Sequence, residues 1–317
     1  MAPILAVDFG GTNIRVARFE SEQPPFQAHI KTPTEASAGP QAVIQRLEDA
    51  IASLLPEDRS DMRIGIGAPG PLDPHSGTIL NAPNLPGWKD IPLRRMIEDE
   101  FNLPVSVGND ANVAALGEWK FGAGRGTHDM VYLTVSTGIG GGVIAGDQLL
   151  LGLHGLAAEL GHVTVDPQGP RCSCGKIGHI EAFASGPAIA RRAVALLEEG
   201  AESSLASKYA DQGSLDAGMV GAAALAGDSL AVGIIQKTGD ILGAYLANLA
   251  HIFNPECFVI GGGVSQIGDL LFKSIESALH AHVMDPSYLD GLQVFPAKLG
   301  DDAGLIGAMA LAASEKE

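Results

Sequence analysis

The sequence predicts an α/β fold of two related lobes around a cleft, and three observations carry that prediction. Ile4-Leu-Ala-Val7 is a short apolar strand, Asp8-Phe-Gly10-Gly11-Thr12-Asn13 turns, and Ile14 to Phe19 returns, which makes a β-hairpin. The pattern recurs: Val131 to Val135 enters, Ser136-Thr137-Gly138-Ile139-Gly140-Gly141-Gly142 turns, and Val143 to Ala145 returns. A third strand, Cys257 to Ile260, runs into Gly261-Gly262-Gly263, with a helical stretch from Ile267 to about His282. Hairpins with glycine- and hydroxyl-rich tips, each opening a run of strands and helices, indicate a duplicated unit.

The elements between the hairpins follow from spacing. Pro40 to Leu55 has helical periodicity, and Arg63-Ile-Gly-Ile-Gly67 reads as a strand. Pro69 to Trp88 is rich in Pro, Gly and Asn and is expected to be a long ligand loop. Pro92 to Phe101 is a helix, Val105 to Val107 a strand, and Ala111 to Phe121 another helix. Ala303 to Ala313 is a helix of small residues, suited to close packing on a partner element. The expected division is a smaller lobe of residues 1–108, joined by the C-terminal helix of residues 301–317, and a larger lobe of residues 109–300.

Charge and cysteine usage limit the function classes. The chain has 317 residues and carries 20 Lys and Arg against 37 Asp and Glu. The net charge of −17 argues against nucleic acid and anionic membrane as partners. A phosphate site in such a chain must rely on backbone N–H groups, helix N-termini and Mg²⁺ rather than a basic patch. Three cysteines, two of them assigned to metal below, fit a reducing compartment and hence the cytoplasm. The first eight residues reach Asp8 too soon for a signal peptide, and no apolar run is long enough to span a bilayer.

The densest chemistry lies in residues 159–181. His162, Cys172, Cys174 and His179 supply four soft or borderline donors, enough to close a tetrahedral zinc site. Gly169, Pro170, Gly175 and Gly178 supply the tight turns of a metal knuckle. A redox pair is disfavoured, because the cysteines are spaced C-x-C with no thioredoxin-like pattern around them. Glu159 and Glu181 bracket the cluster and suit ligand hydroxyls better than zinc.

Two glycine patterns mislead. Gly65-Ile-Gly67-Ala-Pro-Gly70 matches a dinucleotide fingerprint, but Pro69 and Pro71 forbid the helix that must follow. Gly175-Lys176 lacks the hydroxyl residue of a P-loop. Gly108-Asn109-Asp110-Ala111-Asn112 is more informative, because it joins a strand end to a helix start. Two readings of Asp110 stand side by side: a helix N-cap, or a carboxylate in the crevice of an open α/β sheet that accepts a proton from a substrate hydroxyl. The Gly10-Gly11-Thr12 tip and Thr137-Gly138 would grip phosphate from two sides. Asp8 would approach a Mg²⁺–phosphate unit, which together describes phosphoryl transfer from ATP.

On these residues the chain resembles the ROK family (repressors, open reading frames, kinases) over nearly its whole length, and within it the members that phosphorylate glucose. Asp8-Phe-Gly-Gly-Thr-Asn13 resembles the first phosphate motif of the sugar kinase/hexokinase/actin-like ATPase superfamily. Ser136-Thr-Gly-Ile-Gly-Gly-Gly142 resembles the second, and Ile260-Gly-Gly-Gly-Val-Ser265 the adenosine motif. The resemblance implies two actin-like (ribonuclease H-like) α/β lobes and makes Asp110 the catalytic base. It makes Asn84, Asn109, Asp110, Glu159, His162 and Glu181 sugar contacts. Asp8, Gly10, Gly11, Thr12, Asn13, Thr137, Gly138, Gly261, Gly262 and Gly263 become nucleotide contacts. His162, Cys172, Cys174 and His179 become the ligands of a structural Zn²⁺. The usual signature has a third cysteine where this chain has His179. The expected site is Cys₂His₂, with metal affinity that weakens at mildly acidic pH.

The implied reaction is hexose plus MgATP to hexose 6-phosphate plus ADP, with glucose as the hexose. A kinase for N-acetylmannosamine, mannose or fructose is the main alternative, because the polar contacts are shared. A sugar-responsive repressor would need a helix-turn-helix segment before the core strand that begins by Ile4. A polyphosphate donor should favour a basic groove. Family resemblance also implies a homo-oligomer, dimer or tetramer.

Overall fold

The computed structural model describes residues 3–82 and 85–314; Asn84 of the expected sugar loop lies outside them. The strands in chain order are β1 (Ile4–Phe9), β2 (Asn13–Phe19), β3 (Ala28–Pro33), β4 (Arg63–Ala68), β5 (Leu72–Asp73), β6 (Thr78–Asn81), β7 (Lys89–Ile91) and β8 (Val105–Asn109). They continue with β9 (Met130–Val135), β10 (Ile139–Ala145), β11 (Gln148–Leu149), β12 (Cys257–Gly261) and β13 (Gln293–Pro296). The helices are α1 (Pro40–Ala52), α2 (Leu93–Phe101), α3 (Asp110–Phe121), α4 (Ile180–Ala184), α5 (Gly186–Glu198), α6 (Leu205–Gln212), α7 (Ala217–Leu225), α8 (Ser229–Phe253), α9 (Asp269–His282) and α10 (Ala303–Ser314).

Two five-stranded sheets dominate, in the orders β3-β2-β1-β4-β8 and β11-β10-β9-β12-β13. In each, a hairpin and a third antiparallel strand flank one side, and two parallel strands complete the other. The duplication read from the hairpins is therefore present in the sheet topology. The first sheet packs on α1 and α2 through residues such as Val7, Ile66, Leu47 and Ile97. The second covers α5, α7, α8 and α9 with a larger apolar layer that includes Val131, Leu133, Ile260, Ile235 and Leu246.

Helices α3 and α10 pack against each other and against both sheets. Val113 and Ala308 join the cluster on β1 and β2, while Trp119 and Ala310 join the one on β9 and β12. Their small residues are the reason they come so close. A Cβ on Gly307 would overlap the Val113 carbonyl, and one on Gly65 of β4 would overlap the Ala308 carbonyl. The chain leaves the first sheet at Asn109 directly into α3, and leaves the second through residues 297–302 into α10.

Three expectations are corrected. The turn of the second hairpin is only Ser136-Thr137-Gly138; Gly140, Gly141 and Gly142 lie within β10, paired with Thr134, Leu133 and Tyr132. The absent side chains let α3 and the Leu160 segment press onto that strand. The stretch from Pro69 to Trp88 is not one loop, because β5 and β6 pair within it and β7 completes a small sheet. The helix expected from Ile267 begins at Asp269, after a 3-10 turn over Gly263–Ile267.

Candidate active site

The two hairpin tips and the starts of α3 and α10 supply the polar groups of the site. At the first tip, the Gly10 N–H donates to Asn13 O at 2.9 Å. Thr34, fully buried, fastens the tip from below: its hydroxyl donates to Gly10 O at 2.6 Å and its N–H to Thr12 O at 2.9 Å. The backbone is thus fixed while the Thr12 side chain stays exposed. Asp8 precedes the tip on β1, directly opposite Arg15 of β2. Burial raises the Asp8 pKa, the Arg15 guanidinium lowers it, and Asp301 raises it again.

At the second tip, the Ser136 N–H donates to Gly138 O at 2.8 Å, and Ser136 O accepts from Gly186 N–H at 2.8 Å. Ser136 and Thr137 are exposed. These tips carry hydroxyls and N–H groups rather than Lys or Arg, as the acidic composition requires.

Asn109 and Asp110 settle the question of the cap. Asn109 is the N-cap of α3: its Oδ1 accepts from Ala111 N–H at 3.0 Å and from Asn112 N–H at 3.3 Å. Asp110 is the first helical residue, so the reading of it as the cap is corrected. An extended φ of −62° and ψ of 139° at Asn109 places that residue, not its neighbour, outside the helix. Asp110 keeps one local bond, from Ala111 N–H at 2.8 Å. Its side chain is accessible to solvent at the start of α3. Burial, joined by the carboxylates of Asp8 and Glu159 and opposed by the Ala111 N–H, pushes its pKa up to about 6.

Glu159, His162 and the knuckle hang on the second sheet. The buried Tyr245 hydroxyl donates to Leu160 O at 2.7 Å and fixes the 3-10 turn Leu160–His162. Isolated bridges Thr164–His179 and Arg171–Ile177 fold the knuckle back on itself. The ligand atoms of His162, Cys172, Cys174 and His179 lie within 4.8 Å of one another. Cys172 Sγ is 3.6 Å from His162 Nδ1, and Cys174 Sγ is 3.3 Å from His179 Nδ1. Zinc bonds of 2.0–2.3 Å in a tetrahedron imply S–N edges of about 3.5 Å, so the donor set and spacing fit that ion. His162 turns Nδ1 to the cluster, which leaves Nε2 for another partner.

Glu181 lies in the first turn of α4 and is buried. Its Oε1 accepts from the Ser173 hydroxyl at 2.5 Å and from the Cys172 thiol at 3.2 Å; its Oε2 accepts from Ile139 N–H at 3.1 Å. Burial works to raise its pKa, but the donors from Ser173, Cys172 and Ile139, with His162 nearby, hold it below the usual carboxylate value. Glu181 thus ties the knuckle to the second hairpin, a link that spacing did not reveal.

A cavity of about 760 Å³ opens beside the second tip, between Thr137, Pro187, Arg191, Leu225 and Gly263. Leu225 is 66% exposed there. Of Gly261, Gly262 and Gly263, assigned to the adenosine motif, only Gly263 lines the cavity. Gly261 ends β12 beneath the Tyr132 hydroxyl, and Gly262, at φ 84°, turns the chain where a Cβ would press on Val135. The contributions of α5 and α7 were missed from the sequence. Helix α7 consists of small and apolar residues, α5 mixes such residues with Arg191, Arg192 and Glu198, and only the Gly186-Pro187 start of α5 hints at an opening.

The chain matches the profile of the ROK family over residues 4–315. It is 42% identical to a glucokinase of Halalkalibacterium halodurans over 96% of this chain and 92% of that one. It is 34% identical to an N-acetylmannosamine kinase of Shigella boydii over 98% of this chain and 99% of that one. In structure it resembles a ROK family glucokinase from Streptomyces griseus in complex with glucose and AMPPNP. The TM-score is 0.84 at 35% identity, covering 98% of this chain and 99% of the other. Among the described residues, no single helix is long and apolar enough to cross a membrane.

Proposed function

This chain belongs to the ROK family, and we propose that it transfers the γ-phosphoryl group of MgATP to the 6-hydroxyl of glucose. The observation that carries the reading is Asp110. It is relieved of capping by Asn109, stands at the start of α3 within electrostatic reach of Asp8 and Glu159, and has a pKa pushed up to about 6. Such a group is a carboxylate at neutral pH, yet basic enough to take the proton of an alcohol as it attacks phosphorus.

The remaining roles follow from placement. Gly10, Gly11, Thr12 and Asn13 meet the phosphates from the first sheet, and Thr137 and Gly138 from the second. The 760 Å³ cavity takes the adenosine, with Leu225 and Gly263 at its walls. Asp8 faces the divalent cation of the nucleotide, which supplies charge neutralisation at the β- and γ-phosphates. Asn109, Glu159, His162 through Nε2, and Glu181 hold the sugar ring by its hydroxyls. His162, Cys172, Cys174 and His179 would hold a structural zinc, whose part is to fix the backbone carrying Glu159 and Glu181. Binding and orientation supply most of the catalysis, because phosphoryl transfer asks little covalent chemistry of the protein. The lobes in this reading are residues 1–108 with 301–317, and 109–300. The enzyme works in the cytoplasm as a dimer or tetramer.

The test is a panel of glucose, mannose, fructose and N-acetylmannosamine, each with ATP or polyphosphate as donor. Glucose with ATP is expected to give the highest kcat/KM. Faster turnover of N-acetylmannosamine would move the substrate assignment and leave the base in place.

A further inference from the structure

Arg15 makes contacts that the reaction as described does not use. It stands across the ladder from Asp8, with its Nη1 3.8 Å from the Asp8 carboxylate. Its Nη2 donates to Asp302 Oδ1 at 2.6 Å, and its Nη1 also donates to the backbone carbonyl of Asp301. Asp301 and Asp302 belong to the 3-10 turn Gly300–Asp302, in the segment that returns from the second sheet to α10. That segment is anchored at its other end by Glu118 of α3. The fully buried Glu118 carboxylate accepts from Lys298 N–H at 3.1 Å, Leu299 N–H at 2.7 Å and Ala123 N–H at 2.8 Å. The crossing between the sheets is therefore held by an acid on one side and by Arg15 on the other. Helix α10 then begins against Asp8, where a Cβ on Gly304 would lie 2.8 Å from the Asp8 carboxyl carbon.

We propose that Arg15 is a positioning residue for the metal-nucleotide site: its fork to Asp301 and Asp302 fixes Asp8 against the start of α10, so that Asp8 meets the nucleotide's cation already oriented. The inference rests on the reading of Asp8 as the residue facing that cation. Arg15 touches no reacting atom in this scheme. Its side chain is only 17% exposed, so both its fork and its charge are spent within the protein. A guanidinium suits the task because its rigid planar fork holds two partners in a fixed geometry, which the compact charge of an ammonium on a flexible stem does not. The alternative is that the Arg15–Asp302 pair merely fastens β2 to the crossing. The two differ in what they do to Mg²⁺.

The experiment measures ATP affinity by calorimetry on the full-length protein, with and without Mg²⁺, so it does not depend on which hexose is the substrate. Arg15→Gln removes the charge and the fork. Asp302→Asn keeps the charge and loosens the fork. In wild type Mg²⁺ is expected to tighten ATP binding. In either variant that gain is expected to shrink by about tenfold, the middle of the range for coupled neighbours. The double variant should lose no more than the worse single one, because both changes break one link.

The pH dependence separates charge from fork. Asp8 is faced by Arg15 from β2, by Asp301 from the 3-10 turn, by Asp110 from the start of α3, and by the first turn of α10 at Gly304. Without Arg15 the nearby charges on Asp8 are both negative. Protonation then abolishes the Mg²⁺ gain at a higher pH than in wild type. Arg15→Lys should return the pH limb towards wild type without restoring the full gain. A lowered Tm with an unchanged Mg²⁺ gain and pH limb would show a structural fastening and overturn the proposal. Additive losses in the double variant would overturn the fork. Should glucose fail as substrate while the Mg²⁺ gain behaves as described, the hexose assignment falls and the positioning role stands.

Discussion

Asp8 on β1 and Thr134 on β9 occupy the same place in their two sheets. Each precedes the last pair of its hairpin. Asp8 stands between Arg15 and Gly67, and Thr134 between Gly140 and Gly261. The helices correspond as well. Strand β8 leads into α3 at Asn109 and Asp110, and β13 leads through Asp301 and Asp302 into α10. The backbone plan is repeated and the chemistry is divided. The first sheet keeps a charged pair beside its tip, while the second has a hydroxyl there and an open cavity behind it. One copy can therefore manage cation and charge while the other accommodates an apolar base. Of the two helix starts, α3 begins with an acid whose pKa is about 6, and α10 is preceded by Asp302, whose carboxylate Arg15 already engages.

The largest effect should come from the helix start that carries the proposed base. Asp110→Asn keeps size and one acceptor but cannot take a proton. General base catalysis contributes about 10²- to 10⁴-fold, and kcat should fall by that much with KM for glucose little changed. In wild type the acid limb of kcat should lie near pH 6, with activity lost as pH falls and the carboxylate protonates. Turnover near the wild-type rate in Asp110→Asn would show that the two helix starts are not functionally distinct.

The next effect tests the division between the sheets. Asp8→Asn removes a charge from the cation side, and hydrogen bonds to charged groups are worth about 1.5–3 kcal/mol. KM for MgATP should rise by about 10- to 100-fold, the same energies expressed as ratios. Thr134→Val, at the matching place, should leave that KM within about threefold, the scale of a neutral hydrogen bond at its weaker end. Equal effects at both places would mean that the duplication kept a shared role for the two positions.

How far this could be read without coordinates depends on where the chemistry sits in the chain. The hairpins and the knuckle were legible because their residues are local, although the second turn closes at Gly138 and does not run on to Gly142 as its glycines suggested. The exchange of roles between Asn109 and Asp110 was not, because it turns on the φ and ψ of one residue at the exit of β8. The cavity wall was hidden because Pro187 and Leu225 sit on helices that read as packing. Arg15 with Asp302 was out of reach for a different reason, since 287 residues separate them. The cross-strand pairing of Arg15 with Asp8 could have been counted from the first hairpin.

A smaller effect concerns the knuckle, which belongs to the second sheet alone. Protein purified without added zinc should contain one metal ion per chain. A strong chelator should raise KM for glucose more than KM for ATP, because Glu159 and Glu181 ride on the knuckle while the phosphate tips do not. His179→Cys should retain metal, and His179→Ala should lose it more readily to chelator. Full activity without metal would reduce the cluster to a glycine-rich turn.

The smallest effect should come from the hydroxyls of the two tips. Thr12 and Thr137 are exposed, so replacing either with Val breaks no internal bond of the fold. What is lost is one neutral hydrogen bond to a phosphate oxygen, worth about 0.5–1.5 kcal/mol, while the backbone N–H groups remain. KM for ATP should rise by about two- to tenfold in each variant, with KM for glucose unchanged. The comparison sharpens if the two differ. The Thr12 tip is held by Thr34 from a fully buried position, whereas the Ser136 tip leans on Gly186 and, through Ile139, on Glu181. Because Glu181 also reaches the knuckle, Thr137→Val should become more damaging when metal is removed and Thr12→Val should not. A chelator that worsens both variants equally would show that the knuckle does not communicate with the second tip through Glu181.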